Sequence, residues 1–157
     1  MARLQVGDTA PAFRLRTDDG PEVSSEQLAG RRYVLYFYPK DDTPGCTAQA
    51  CGLRDSFDRV RATGVEVFGV SPDSVRSHAK FREKYGLPYR LLSDEGHRLA
   101  EAYGVWVQKK AMGREYMGNE RTTFVIGADG RVEKVLPQVK PAEHVELLLG
   151  ALSDRAA

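Results

Sequence analysis

Apolar and polar positions divide this chain into short alternating runs. "YVLYFYP" (33–39) is continuously apolar and aromatic and stops at a proline, which predicts a strand buried on both faces. "VEVFGVSP" (65–72) repeats the pattern. Between them Ala50, Leu53, Phe57 and Val60 recur at helical spacing and predict one inward helix face. A second helix runs from a cap at Asp73 or Ser74 through Tyr85 and closes at Gly86. "YRLLS" (89–93) reads as a short strand, and Asp94 as the cap of a helix ending at Tyr103 before Gly104. "TTFVIGADGRVEKVL" (122–136) reads as a hairpin turning at Asp129-Gly130. Pro141 opens a last helix with Val145, Leu148, Leu149 and Leu152 inward. Residues 106–119 show no clear period and read as a loop or excursion.

The order is strand, helix, strand, helix, strand, helix, hairpin, helix. It predicts an α/β fold, with the closing hairpin making the central sheet mixed. The length of 157 residues suits one domain, taken as 1–157.

Composition narrows the function. Lys plus Arg total 23 against 22 Asp plus Glu, so the net charge of +1 supports neither nucleic acid nor an acidic membrane surface as a partner. No apolar run approaches the roughly 18 residues of a membrane span, and "MARLQVGDTAPAF" lacks the apolar centre of a secretory signal. The expectation is a soluble cytoplasmic protein, in a compartment where thiols stay reduced.

Both cysteines fall in "YPKDDTPGCTAQACGLRD" (38–55). Cys46 stands at a turn-to-helix junction approached by Thr43, Pro44 and Gly45. Unpaired helix N–H groups and the positive end of the macrodipole favour a thiolate there. Alone, Cys46 reads equally as a nucleophile or as a small buried residue. Cys51 lies five residues on. On one regular helix their Cα atoms stand about 8.7 Å apart, beyond the roughly 4.4–6.8 Å of a disulfide. A bond between them requires the first helical turns to unwind. Gly52 lowers helix propensity, and Thr47 and Gln49 offer no apolar anchoring, so unwinding is expected to be cheap. Two cysteines and the isolated His78, His97 and His144 do not make a zinc site, and the histidines read as surface or capping residues. Cys-x4-Cys is not the Cys-x-x-Cys spacing of a dithiol oxidoreductase.

The thiol at the start of the helix after a central strand fits a thioredoxin-like layout. The segment itself resembles the active-site stretch of peroxiredoxins, most closely the Q subgroup, or bacterioferritin comigratory protein type. The matching residues are Pro39, Thr43 and Cys46, in the pattern Pro-x-x-x-Thr-x-x-Cys, with Cys51 as the helix-borne second cysteine. "GDTAPAFRL" (7–15), "GVWVQKKAMGREYMG" (104–118) and "RTTFVIGADG" (121–130) extend the likeness almost end to end.

That resemblance implies a thiol peroxidase acting on hydrogen peroxide and organic hydroperoxides without a cofactor. Cys46 would attack the peroxide and become a sulfenic acid. Arg121 would stabilise the thiolate and hold the peroxide. The Thr43 hydroxyl would accept from the peroxide and donate to the thiolate. Pro39 would shield the site from water. Cys51 would close a disulfide with Cys46, reduced in turn by thioredoxin or a glutaredoxin-like protein. The subgroup's usual monomeric state is the expectation, with a dimer as the alternative. A disulfide carrier and a redox-sensing binding module are the rival functions, separated from a peroxidase by whether the protein turns over peroxide.

Overall fold

The computed structural model describes residues 2–153. Its strands are β1 (Arg14–Thr17), β2 (Glu22–Ser24), β3 (Tyr33–Phe37), β4 (Glu66–Ser71), β5 (Arg90–Ser93), β6 (Trp106–Ala111), β7 (Arg114–Asn119), β8 (Thr122–Ile126) and β9 (Val132–Leu136). Its helices are α1 (Pro44–Asp55), α2 (Phe57–Arg61), α3 (Val75–Tyr85), α4 (Arg98–Ala102) and α5 (His144–Ser153), the last entered through a 3-10 turn at Pro141–Glu143.

Seven strands form one mixed sheet in the order β2-β1-β5-β4-β3-β8-β9. β3 runs parallel to β4 and β4 to β5, while β8 returns antiparallel beside β3. Every residue of β3 is buried, as its unbroken apolar run requires of a strand covered on both faces. Val34 and Tyr36 meet Ala50 and Leu53 of α1, Val60, Phe81 of α3, and Leu148 and Leu152 of α5 on one face. Leu35 and Phe37 meet Leu99 and Ala100 of α4, Phe68 and Phe124 on the other. Gly69 of β4 makes room for the first layer, because a Cβ there would lie 2.8 Å from Leu91 and 2.9 Å from the Tyr36 ring. The architecture is the thioredoxin-like α/β fold that the sequence implied.

Ser74 caps α3, accepting from Ser77 N at 3.1 Å, and Gly86 closes it in the left-handed conformation at φ 61. Asp94 caps α4 from upstream: its carboxylate accepts from the backbone N–H groups of Leu99 and Ala100 at 3.2 and 2.9 Å. The helix expected across 50–60 breaks at Ser56, so Phe57 and Val60 belong to a separate helical turn. Two elements escaped the pattern. β1 and β2 form a short antiparallel hairpin joined to β5. Residues 106–119 are not a loop but the antiparallel β6–β7 hairpin, outside the main sheet. It turns at Met112 and Gly113, both at positive φ, the two-residue geometry that suits a hairpin's twist. Among the described residues no helix is long and apolar enough to cross a membrane.

Candidate active site

α1 begins directly behind β3. Thr43 is its N-cap residue in extended conformation, Pro44 opens the first turn, and Cys46 lies in that turn, 2% exposed. No side chain caps this end. The Thr43 hydroxyl instead donates to the Lys40 carbonyl at 2.9 Å. The expected donation from Thr43 to the thiolate is therefore absent from this geometry. With Asp42 at φ 56, the loop folds back on itself and uses that proton locally, while the hydroxyl oxygen keeps its lone pairs for a substrate donor. Pro39 sits half-buried between β3 and this loop.

Arg121 approaches from the start of β8. Its Nη1 and Nη2 each donate to Cys46 Sγ at 3.5 Å, and Nη1 also donates to Gln49 Oε1 at 2.6 Å. The close approach depends on Gly45: a Cβ there would stand 3.1 Å from Arg121 Nη2. The half-buried Lys109, on β6, is held below the usual lysine value by burial and by the charge of Arg121, while Cys46 pulls the other way. The surroundings of the sulfur are thus cationic and carry oriented N–H donors.

Three residues behind this pair went unread in the sequence. Gln49 is fully buried, and its Nε2 lies 3.1 Å from His144 Nδ1. His144, also fully buried, has Nε2 2.8 Å from Thr123 Oγ1. Burial, assisted by the charge of Arg121, lowers the His144 pKa from 6.5 to about 3, so the ring is neutral near pH 7. The expectation that Gln49 leaves the first turns unanchored is corrected here, as is the surface or capping reading for His144 and His78; His97, the N-cap residue of α4, agrees with it. Gln49 falls three residues after Cys46 on the inward face of α1, and His144 four before Leu148 on that of α5, so extending both stripes would have found them.

His78 is the second buried histidine. Its Nδ1 lies 2.7 Å from Asp41 Oδ2 and its Nε2 2.9 Å from the Leu92 carbonyl oxygen. Asp41 also accepts from Tyr38 and Ser77, and its backbone N–H donates to Asp73. Asp41, Asp73 and His78 have the donor types of a metal site, yet hydrogen bonds within the protein already engage these atoms. The cluster ties the loop before Cys46 to α3. A second tie joins Asp42 to Lys84 and Tyr85 at 2.8 and 2.7 Å.

Cys51 is half-buried on the next turn of α1, and both cysteines are free thiols. The Tyr89 hydroxyl donates to the Ala50 carbonyl at 3.1 Å and lies 2.8 Å from the Tyr36 hydroxyl. Burial raises the pKa of Tyr89, with the neighbouring Cys51 adding to the rise. The structure therefore brings Cys46 and Arg121 together, sets Thr43 and Pro39 in the adjoining loop, and keeps Cys51 apart on the same helix.

A thioredoxin-like sheet carrying an arginine-bound thiol in the first turn of a helix defines the thiol-peroxidase class. Residues 6–135 match the AhpC/TSA family. The chain is 48% identical over 149 residues to a peroxiredoxin Bcp homologue of Coxiella burnetii, covering 95% of this chain and 99% of the relative. It is 47% identical over 151 residues to peroxiredoxin Bcp of Bacillus subtilis, covering 96% of each. Among solved structures, the bacterioferritin comigratory protein of Xanthomonas campestris, described for its alkyl peroxide reduction, superposes with a TM-score of 0.87 at 33% identity, covering 95% of this chain and 98% of that one. The chain belongs to the peroxiredoxins of the AhpC/TSA family, in the group typified by Bcp and peroxiredoxin Q.

Proposed function

We propose that this chain reduces hydrogen peroxide and organic hydroperoxides with Cys46 as nucleophile and Cys51 as resolving thiol. The observation that carries the reading is the arginine held over the sulfur: two guanidinium nitrogens 3.5 Å from Cys46 Sγ, at a helix start that no side chain caps.

The Cys46 thiolate attacks one oxygen of the O–O bond. An S–O bond forms, the O–O bond breaks, and the departing oxygen leaves as water or an alcohol after taking up a proton. The sulfur is oxidised to a sulfenic acid by two electrons. Negative charge grows on the departing oxygen, and the Arg121 N–H donors stand ready for it before the reaction begins. The Thr43 oxygen accepts from the peroxide hydroxyl. Pro39 limits the access of water.

Cys51 then attacks the sulfenic sulfur, forming the S–S bond and releasing water. On the intact α1 the Cα atoms lie about 8.7 Å apart, so this step follows unwinding of the first turns. A dithiol protein of the thioredoxin type, or a glutaredoxin-like one, returns both thiols by exchange. In this reading the chain is a single domain and works as a cytoplasmic monomer.

The test is peroxide consumption by the pure protein with dithiothreitol, alongside intact mass after one equivalent of peroxide. Wild type is expected to turn over and to form an internal disulfide. Cys46→Ser is expected to be inactive, because a serine hydroxyl is too weakly acidic to act in place of the thiolate. Cys51→Ser is expected to stop at a Cys46 sulfenic acid. Cys46→Ser within a few-fold of wild type would overturn the mechanism.

A further inference from the structure

We propose that His144 is a positioning residue: its bare Nδ1 fixes the amide orientation of Gln49, and Gln49 in turn holds the Arg121 guanidinium over Cys46. The proposal rests on the peroxidase reading above and extends it to α5, which carries no residue of the peroxiredoxin motif.

The polarity of the chain follows from donor and acceptor chemistry. A guanidinium has only donors, so the Gln49 atom 2.6 Å from Arg121 Nη1 must be the carbonyl oxygen. The other end of the amide is then NH2, a donor, and it points at His144 Nδ1 at 3.1 Å. That nitrogen must accept and carries no hydrogen. The hydrogen of the neutral ring sits on Nε2 and donates to Thr123 Oγ1 at 2.8 Å. Each link is buried or half-buried, so a lost partner is not replaced cheaply by water.

Removing the acceptor at His144 strands the Gln49 amide. It must either leave its NH2 unpaired or turn it towards Arg121, where donor would face donor. The first leaves a buried amide unsatisfied and its hold on Arg121 unsupported; the second deprives the guanidinium of the oxygen that sets its plane. Among the described residues, the Cys46 sulfur is the one other side-chain acceptor that Arg121 meets. The array of N–H donors aimed at Cys46 is therefore only as well ordered as the Gln49–His144 contact. Because Gln49 rides on α1, unwinding of that helix also breaks the chain, so Arg121 is held while Cys46 is reduced and released once resolution begins.

The experiment has two arms. In the first, the second-order rate of peroxide with reduced protein is measured for wild type, His144→Leu and His144→Asn. The asparagine can set its Oδ1 near the place of Nδ1 and keep the acceptor; leucine cannot. His144→Leu is expected to slow the step by about tenfold or more, and His144→Asn to stay within about threefold of wild type. Equal rates for the two variants overturn the proposal, since both remove the ring and a merely space-filling role would affect them alike.

In the second arm, nitrogen NMR of the reduced wild type is expected to show the His144 hydrogen on Nε2. In Gln49→Glu it should move to Nδ1, because a carboxylate offers only acceptors. A hydrogen on Nδ1 in wild type overturns the proposal even if His144→Leu fails to fold. A wild-type protein that does not consume peroxide overturns the peroxidase reading, and this inference with it. A wild type that is active but no faster than His144→Leu overturns this inference alone.

Discussion

Arg121 presents both terminal guanidinium nitrogens to Cys46 Sγ, each at 3.5 Å. Two donors in one plane set a direction as well as a charge. A lysine could supply the charge but not the fork. Arg121→Ala is expected to slow the reaction with peroxide by more than about tenfold, and Arg121→Lys to recover little of it. Stopped-flow measurement of peroxide reduction gives the rates, with alkylation confirming that Cys46 remains accessible. An unchanged second-order rate in Arg121→Ala would make the residue structural.

The same geometry makes Gly45 a sensitive position. A Cβ there would stand 3.1 Å from Arg121 Nη2 and 3.5 Å from the Pro141 ring. Alanine suits a helix better than glycine by about 1 kcal/mol, so the fold should tolerate the change. The guanidinium is the part that must yield, by a few tenths of an ångström. Gly45→Ala is expected to keep its thermal midpoint while its peroxide rate falls by about threefold to tenfold. A wild-type rate would show that Arg121 can shift without loss.

Chemistry and packing were unequally visible in the chain. β3 and β4 could be read because burial on both faces leaves continuous apolar runs. The β6–β7 hairpin could not, because it stands outside the main sheet and has too little buried face to impose alternation; Met112 at its tip is fully exposed. Its Met112-Gly113 turn also lacks the asparagine or aspartate that marks such turns. β1 and β2 are four and three residues long, too short for a period to show. At the site, Cys46 stood out through its place at a helix start. Arg121 lies 75 positions away, and only the resemblance to peroxiredoxins pointed to it. Gln49 and His144 are polar residues on inward stripes, where a partner is obligatory but cannot be identified until the fold is closed.

His144 also leaves a mark on stability. Its pKa falls from 6.5 in the unfolded chain to about 3 in the fold, through burial and then the charge of Arg121. Between these values the unfolded chain binds a proton that the folded protein refuses. Stability from this group is therefore complete above pH 6.5 and is lost as pH falls towards 3, at about 1.4 kcal/mol per unit. Urea unfolding of wild type and His144→Asn across this window should differ in pH slope by about one proton. Parallel slopes would mean that His144 takes up its proton in the fold as readily as in the open chain.

The last expectation concerns the step that must unfold part of the enzyme. In the proposed mechanism α1 keeps Cys51 away from Cys46 until its first turns open, and two neighbours are expected to govern that opening. Gly52 lies inside the helix, and an added Cβ would meet Val145 on α5 at 3.4 Å, an ordinary contact. Gly52→Ala should therefore stabilise the closed helix by up to about 1 kcal/mol and slow disulfide formation by up to about fivefold. Tyr89 acts from outside, donating to the Ala50 carbonyl one residue before Cys51. Tyr89→Phe removes a buried hydrogen bond worth about 1 kcal/mol to the closed form, and should hasten disulfide formation by about fivefold. The Tyr89 hydroxyl bonds Tyr36 and Ala50, and Gly52 has no side chain, so neither reaches Cys46 or Arg121 and the initial attack on peroxide should keep its wild-type rate in both variants. Trp106 fluorescence in stopped flow, checked by mass spectrometry of quenched samples, separates attack from disulfide formation. Opposite shifts in the second step alone would support helix opening as its gate. If both variants close the disulfide at the wild-type rate, resolution does not wait on the opening of α1.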